Sequence, residues 1–102
     1  MTARYLKLSE VCVQLSVDEG LLRTVCDEGL VEVKHTVEDE TVISAEHAER
    51  LRLITVLMRE MDVNMAGVEV ILHMHDDLCG MQRQFGEILH TLVDELRRRV
   101  AG

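Results

Sequence analysis

The apolar positions of the chain change period twice, and each change marks a new kind of element. The longest regular stretch begins at Val63. From there Val68, Ile71, Leu72, His75 and Leu78 share one face at helical spacing. Met81, Phe85, Ile88, Leu89, Leu92, Leu96 and Val100 carry the stripe onward. Asn64 predicts the N-cap, because its side-chain oxygen can accept an amide of the first turn. Val63 and Val68 can close over that cap as a hydrophobic staple. Gly80 and Gly86 interrupt the run, and each costs about 1 kcal/mol against Ala. The pattern predicts either one long helix or two with a break near Gly80. A tail of this length cannot bury its stripe on itself. It needs the N-terminal part, or a second copy of the chain.

The front half has shorter periods. Tyr5-Leu6-Lys7-Leu8 reads as an extended lead-in. Ser9 predicts the cap of a helix through Leu15, with Val11, Cys12 and Leu15 inward. Ser16-Val17 makes a turn. Asp18 predicts the cap of a second helix from Glu19 to about Glu28, with Leu22, Val25 and Cys26 inward. Gly29 ends it where a left-handed conformation is needed. Two short helices and a tight turn read as a helix-turn-helix. Val31 to His35 and Thr41 to Ile43 then alternate around the acidic tip Glu38-Asp39-Glu40, which predicts a β-hairpin wing. Ser44 predicts the cap of a third helix, Ala45 to Met61. Its stripe is Ala48, Leu51, Ile54, Met58 and Met61, widened by Leu53, Val56 and Leu57.

A chain of 102 residues is one domain, here residues 1–61 with the helix-turn-helix, wing and third helix, and 62–102 with the helical tail. Its core must be aliphatic, since it has one Tyr, one Phe and no Trp. The net charge is −8. Such a chain repels phosphate backbones and suits a basic partner. No apolar run reaches the length of a membrane span and no signal-peptide core is seen, which predicts a cytoplasmic protein. Cys12, Cys26 and Cys79 make an odd count, so a disulfide framework is not expected.

The order of elements resembles the MerR-type winged helix-turn-helix. Leu22-Arg23 and Gly29-Leu30-Val31 sit where those proteins keep Leu-Arg-Tyr-Tyr and Gly-Leu-Ile. Thr24 and Val25 replace the paired tyrosines, and the wing tip is acidic where a DNA binder carries Arg and Tyr. The expected fold is therefore mainly α: a MerR-like winged helix-turn-helix with a small β-hairpin wing and a long C-terminal helical region. Within that group, the segment after Val63 resembles the signature of CbpM-type chaperone-modulator proteins. Their segment reads Leu-Asp-Trp-Pro-Gly-Ile, then spaced aliphatics, an acidic pair and another aliphatic. Gly67, Val68, Leu72, Met74, Asp76, Asp77 and Leu78 fit it. Asn64 stands for the Asp cap, and Met65 and Ala66 depart from Trp and Pro.

Several chemistries can be weighed on the residues. DNA recognition would draw on Arg23 beside Asp27 and Glu28, and on Lys34 and His35 beside a wing tip of acids. Affinity for a duplex usually rests on several Lys and Arg contacts to phosphate, so the count argues against it. A soft-metal site needs two or more convergent thiolates or imidazoles. Cys12 and Cys26 read as small core residues. His73 and His75, two apart, diverge on a helix, and His73 with Asp77 reads as a solvated pair. No metal or other cofactor is expected. No nucleophile-base arrangement or phosphate loop is visible, which predicts a non-enzyme.

Taken together, the resemblance implies a chaperone modulator. It would bind the J-domain of a DnaJ-like (CbpA-type) co-chaperone and block its work with Hsp70. The alternative is a MerR-type DNA-binding transcriptional regulator. The expected partner surface is the exposed side of the 64–78 helix: Met65, Glu69, His73, Asp76 and Asp77. Homodimerisation is expected through Leu78, Phe85, Leu89, Leu92 and Leu96.

Overall fold

The computed structural model describes residues 4–101. The elements are β1 (Tyr5–Lys7), α1 (Leu8–Leu15), α2 (Glu19–Asp27), β2 (Val33–His35), β3 (Thr41–Ser44), α3 (Ala45–Thr55) and α4 (Met65–Ala101). The fold is mainly helical, with a helix-turn-helix, a hairpin wing and a long C-terminal helix, as the periodicity predicts. Two compact units result, one ending at Glu69 and the other starting at Val70.

Caps set most of the boundaries in the first unit. The Asp18 carboxylate accepts the Leu21 amide at 2.8 Å. The Ser44 hydroxyl accepts the His47 amide at 3.2 Å. The Asn64 side chain accepts the Gly67 amide at 2.9 Å. Each satisfies one amide that its helix leaves unpaired. Gly29 adopts φ +74°, a conformation that L side chains rarely take. A Cβ on Gly67 would lie 2.7 Å from Val63 Cγ1, so the residue before the cap packs where only glycine leaves room.

Three expectations are corrected. Tyr5–Lys7 is a strand, not a lead-in: it pairs antiparallel with β3, Leu6 opposite Ile43, and the sheet order is β1-β3-β2. This pairing holds Lys7 extended, so α1 starts at Leu8. Ser9 lies inside the helix and does not cap it. The third helix stops being α at Thr55 and continues as a π-turn, Val56–Glu60. The wider turn rotates the stripe, and Met61, placed on the inner face by spacing, is 63% exposed. Of the two arrangements predicted for the tail, the single long helix is the one formed: α4 runs unbroken through Gly80 and Gly86.

The core is aliphatic. Val11, Val25, Val31, Ile43, Leu51, Ile54, Leu57 and Val68 are all buried in the first unit. Burying such side chains stabilises by about 1.5–3 kcal/mol each. Arg59, carried by the π-turn, donates to the Leu15 carbonyl at 2.7 Å and to the Ser16 carbonyl. It thereby ties the third helix to the turn of the helix-turn-helix. Ser16 is left-handed there, at φ 56°.

Candidate partner-binding surfaces

The face that a helix-turn-helix would offer to a duplex comes from α2 and the wing. Arg23 is the only cation on α2, and it is exposed beside the exposed acids Asp27 and Glu28. On the wing, Lys34 Nζ donates to the Tyr5 hydroxyl at 3.0 Å and sits 5.4 Å from the ring centroid. That hydrogen bond raises the Lys34 pKa above its ordinary value. Lys7 pairs with Glu40 at 3.5 Å. In the third helix Arg50 donates to the Leu30 carbonyl at 2.8 Å, and Arg52 donates to Glu49 at 2.8 Å. The bond from Arg52 holds the Glu49 carboxyl below the usual range. Lys7, Lys34, Arg50, Arg52 and Arg59 thus bind carbonyls, carboxylates and a phenol of their own unit, while Arg23 stays exposed. Glu38 and Asp39 at the wing tip stand in solvent.

At the head of α4 the expected surface divides. His73, Asp76 and Asp77 are exposed, with His73 Nε2 3.6 Å from Asp77 Oδ2. Met65 and Glu69 are half-buried and belong to the first unit. Glu69 has a partner that spacing did not reveal. Its carboxyl shares a hydrogen bond with Glu28, at the end of α2, and this raises the Glu69 pKa above its ordinary value.

Along the rest of α4 the apolar stripe is open. Leu78, Phe85, Leu89, Leu92 and Leu96 are 45–63% exposed, and Met74, Met81, Ile88, Val93 and Val100 join them. Glu95 pairs with Arg98 at 2.9 Å and with Arg99 at 3.5 Å, one and the other neighbour on its helix face. Asp94 pairs with His90 at 3.4 Å.

This order of elements, with α1 and α2 as the paired helices and β2–β3 as the wing, agrees with one known family. The model of the MerR HTH family of regulatory proteins matches residues 6–98. The chain belongs to this family. No curated protein matches it. The MerR match covers the helix-turn-helix, the wing and nearly all of α4, so the long helix is part of the family domain.

Within this MerR domain the thiols are dispersed. Cys12 and Cys26 are half-buried, and burial pushes both thiols up. Asp27 raises Cys26 further. Cys79 is exposed, with its Sγ 3.5 Å from His75 Nδ1, one helical turn away. Spacing alone could have found that pair, as it found His73 with Asp77. Among the described residues no three His, Cys, Asp or Glu side chains converge to hold a metal ion. No helix among them is long and apolar enough to cross a membrane.

Proposed function

We propose that this MerR-family protein is a non-enzymatic cytoplasmic chaperone modulator. It binds the J-domain of a DnaJ-like (CbpA-type) co-chaperone and keeps that domain from Hsp70. The observation that carries the reading is the distribution of charge on the helix-turn-helix and wing. Lys7, Lys34, Arg50, Arg52 and Arg59 all bind groups of their own unit, while Asp27, Glu38 and Asp39 face solvent beside the single exposed Arg23 of α2. A phosphate backbone needs the reverse. A basic helix, which J-domains carry, is attracted by it. The CbpM-like run Gly67-Val68 to Asp76-Asp77-Leu78 adds the exposed docking side, with His73, Asp76 and Asp77 in solvent and Met65 and Glu69 at its margin. The protein acts as a homodimer through the α4 stripe.

A second reading is a DNA-binding MerR regulator, with which the family match over residues 6–98 agrees equally well. One pair of measurements separates the two. Calorimetric titration with a J-domain should give saturable binding that weakens as salt rises. Selection from random duplexes at low salt should enrich no motif. A recovered palindrome without J-domain binding would replace the first reading by the second.

A further inference from the structure

The sheet of the first unit carries a polar cluster on its outer face. Leu6 and Val33 both pair with the buried Ile43, so the two-residue period sets Tyr5, Lys34 and Ser44 on the opposite face. The same register, extended by one step, places Glu32 opposite Ser44. There β3 gives way to α3, and the Glu32 amide donates to His47 Nδ1 at 3.2 Å. Tyr5, Glu32, Lys34, Ser44, Glu46 and His47 together line one cleft of about 190 Å³.

The cleft offers donors and acceptors of opposite charge. Lys34 Nζ gives one of its three N–H groups to the Tyr5 hydroxyl and keeps two. The Tyr5 hydroxyl accepts that bond, so its own O–H can still be donated. His47 accepts at Nδ1, which leaves Nε2 as its protonated nitrogen and the ring neutral. These donors suit a carboxylate. Glu32 and Glu46 are exposed, and among the described residues neither is in a salt bridge. Their carboxylates suit ammonium groups. The Tyr5 hydrogen bond, and after it the nearby Glu32 charge, hold the Lys34 pKa above its ordinary value. One positive charge thus stands against two negative ones. The acids repel a bare anion, and Lys34 repels a bare amine. A molecule with one carboxylate and two cationic groups balances all three. The volume is below the roughly 300–1,000 Å³ of pockets for drug-sized ligands, which limits the occupant to a small metabolite.

We infer that this cleft, between the outer face of the sheet and the start of α3, binds a free basic amino acid, with the ligand carboxylate on Lys34 and Tyr5 and its cationic groups on Glu32 and Glu46. Tyr5 comes from β1, Lys34 from β2 and Glu46 from α3, so the bound ligand ties the wing to the helix that follows it. The site is separate from the exposed acids of α4 and does not depend on the partner-binding reading.

The test is titration of the full chain with L-lysine, followed by backbone amide NMR shifts. Saturable shifts are expected at Glu32, Lys34 and His47, with none in α4 beyond Cys79. Putrescine lacks the carboxylate and L-glutamate replaces a cation by an acid, so each should bind about fivefold more weakly or worse. Lys34→Gln should weaken L-lysine about fivefold and leave putrescine no weaker than before, whereas Glu46→Gln should weaken both. Amide spectra of the ligand-free variants check that each is folded. Shifts that fail to saturate with L-lysine, or that fall outside the cleft, would overturn the site. Putrescine or L-glutamate binding as tightly as L-lysine would overturn the ligand class. So would an unchanged L-lysine affinity in either folded variant.

Discussion

The two units use the same aliphatic residues in opposite ways. In the first, Leu51, Ile54, Ile43 and Val25 are fully enclosed, and charged side chains close onto the unit's own carbonyls and carboxylates. In the second, Phe85, Leu89 and Leu96 repeat as regularly but stand 63%, 45% and 61% exposed, and the Glu95–Arg98 and Glu95–Arg99 ion pairs join neighbours on one helix. The first unit supplies its own stability. Past the buried Leu72, the second keeps the pattern of a packed element and leaves its stripe exposed. An amphipathic helix therefore reveals its function by what is left uncovered, not by its periodicity.

Core deletion should separate the units most sharply. Leu51→Ala removes a fully enclosed side chain and should cost about 2–5 kcal/mol by urea denaturation. An equivalent change at Leu92, half exposed in one chain, should leave that transition nearly unmoved at concentrations too low for a dimer. Equal losses at both sites would erase the distinction between the units.

Self-association should give the next largest effect. Light scattering at micromolar concentration should return twice the chain mass, and Leu89→Asp should return it to one chain. Each apolar side chain covered in such a contact contributes about 1.5–3 kcal/mol. A wild-type monomer under those conditions would leave the stripe without its expected cover.

Within the first unit, single bonds matter less. Asp18→Ala removes the oxygen that accepts the Leu21 amide and should cost about 1 kcal/mol, while Asp18→Asn should recover most of it. Thermal melts of the two variants compare the cap directly.

The Asp18, Ser44 and Asn64 caps, the Gly29 stop and the hairpin around Glu38-Asp39-Glu40 were legible because each depends on residues within a few positions of itself. What spacing missed is long-range. Tyr5–Lys7 has only three residues, too few to establish a period, and becomes a strand through β3 far along the chain. The π-turn at Val56–Glu60 has no composition of its own; Arg59 reaching back to Leu15 accompanies it. The Glu28–Glu69 contact joins residues that no helical repeat brings together. For the acidic head of α4, the sequence identified which groups face solvent at Asp76 and Asp77. It did not reveal that Glu69 is engaged elsewhere.

That carboxyl pair gives the smallest expected effect, and its sign is fixed. The Glu69 pKa is raised in the folded state, so the folded protein holds this proton more tightly than the unfolded chain. Its contribution is therefore favourable below the ordinary carboxylate range and is lost as pH rises through the raised value. Glu69→Gln should melt slightly above wild type at neutral pH, with the gain vanishing in acid. A gain that grew in acid would contradict the pairing.

The central claim, an acidic docking side for a basic helix, is tested most directly by association kinetics. The rate at which a J-domain binds wild type and Asp76→Lys/Asp77→Lys would be measured at low and at high salt, with circular dichroism confirming that the variant is folded. Complementary charge acts chiefly on the association rate and is screened by salt. The account predicts slower association for the folded variant at low salt and a narrowed gap at high salt. A folded variant that associates as fast as wild type at low salt would contradict it.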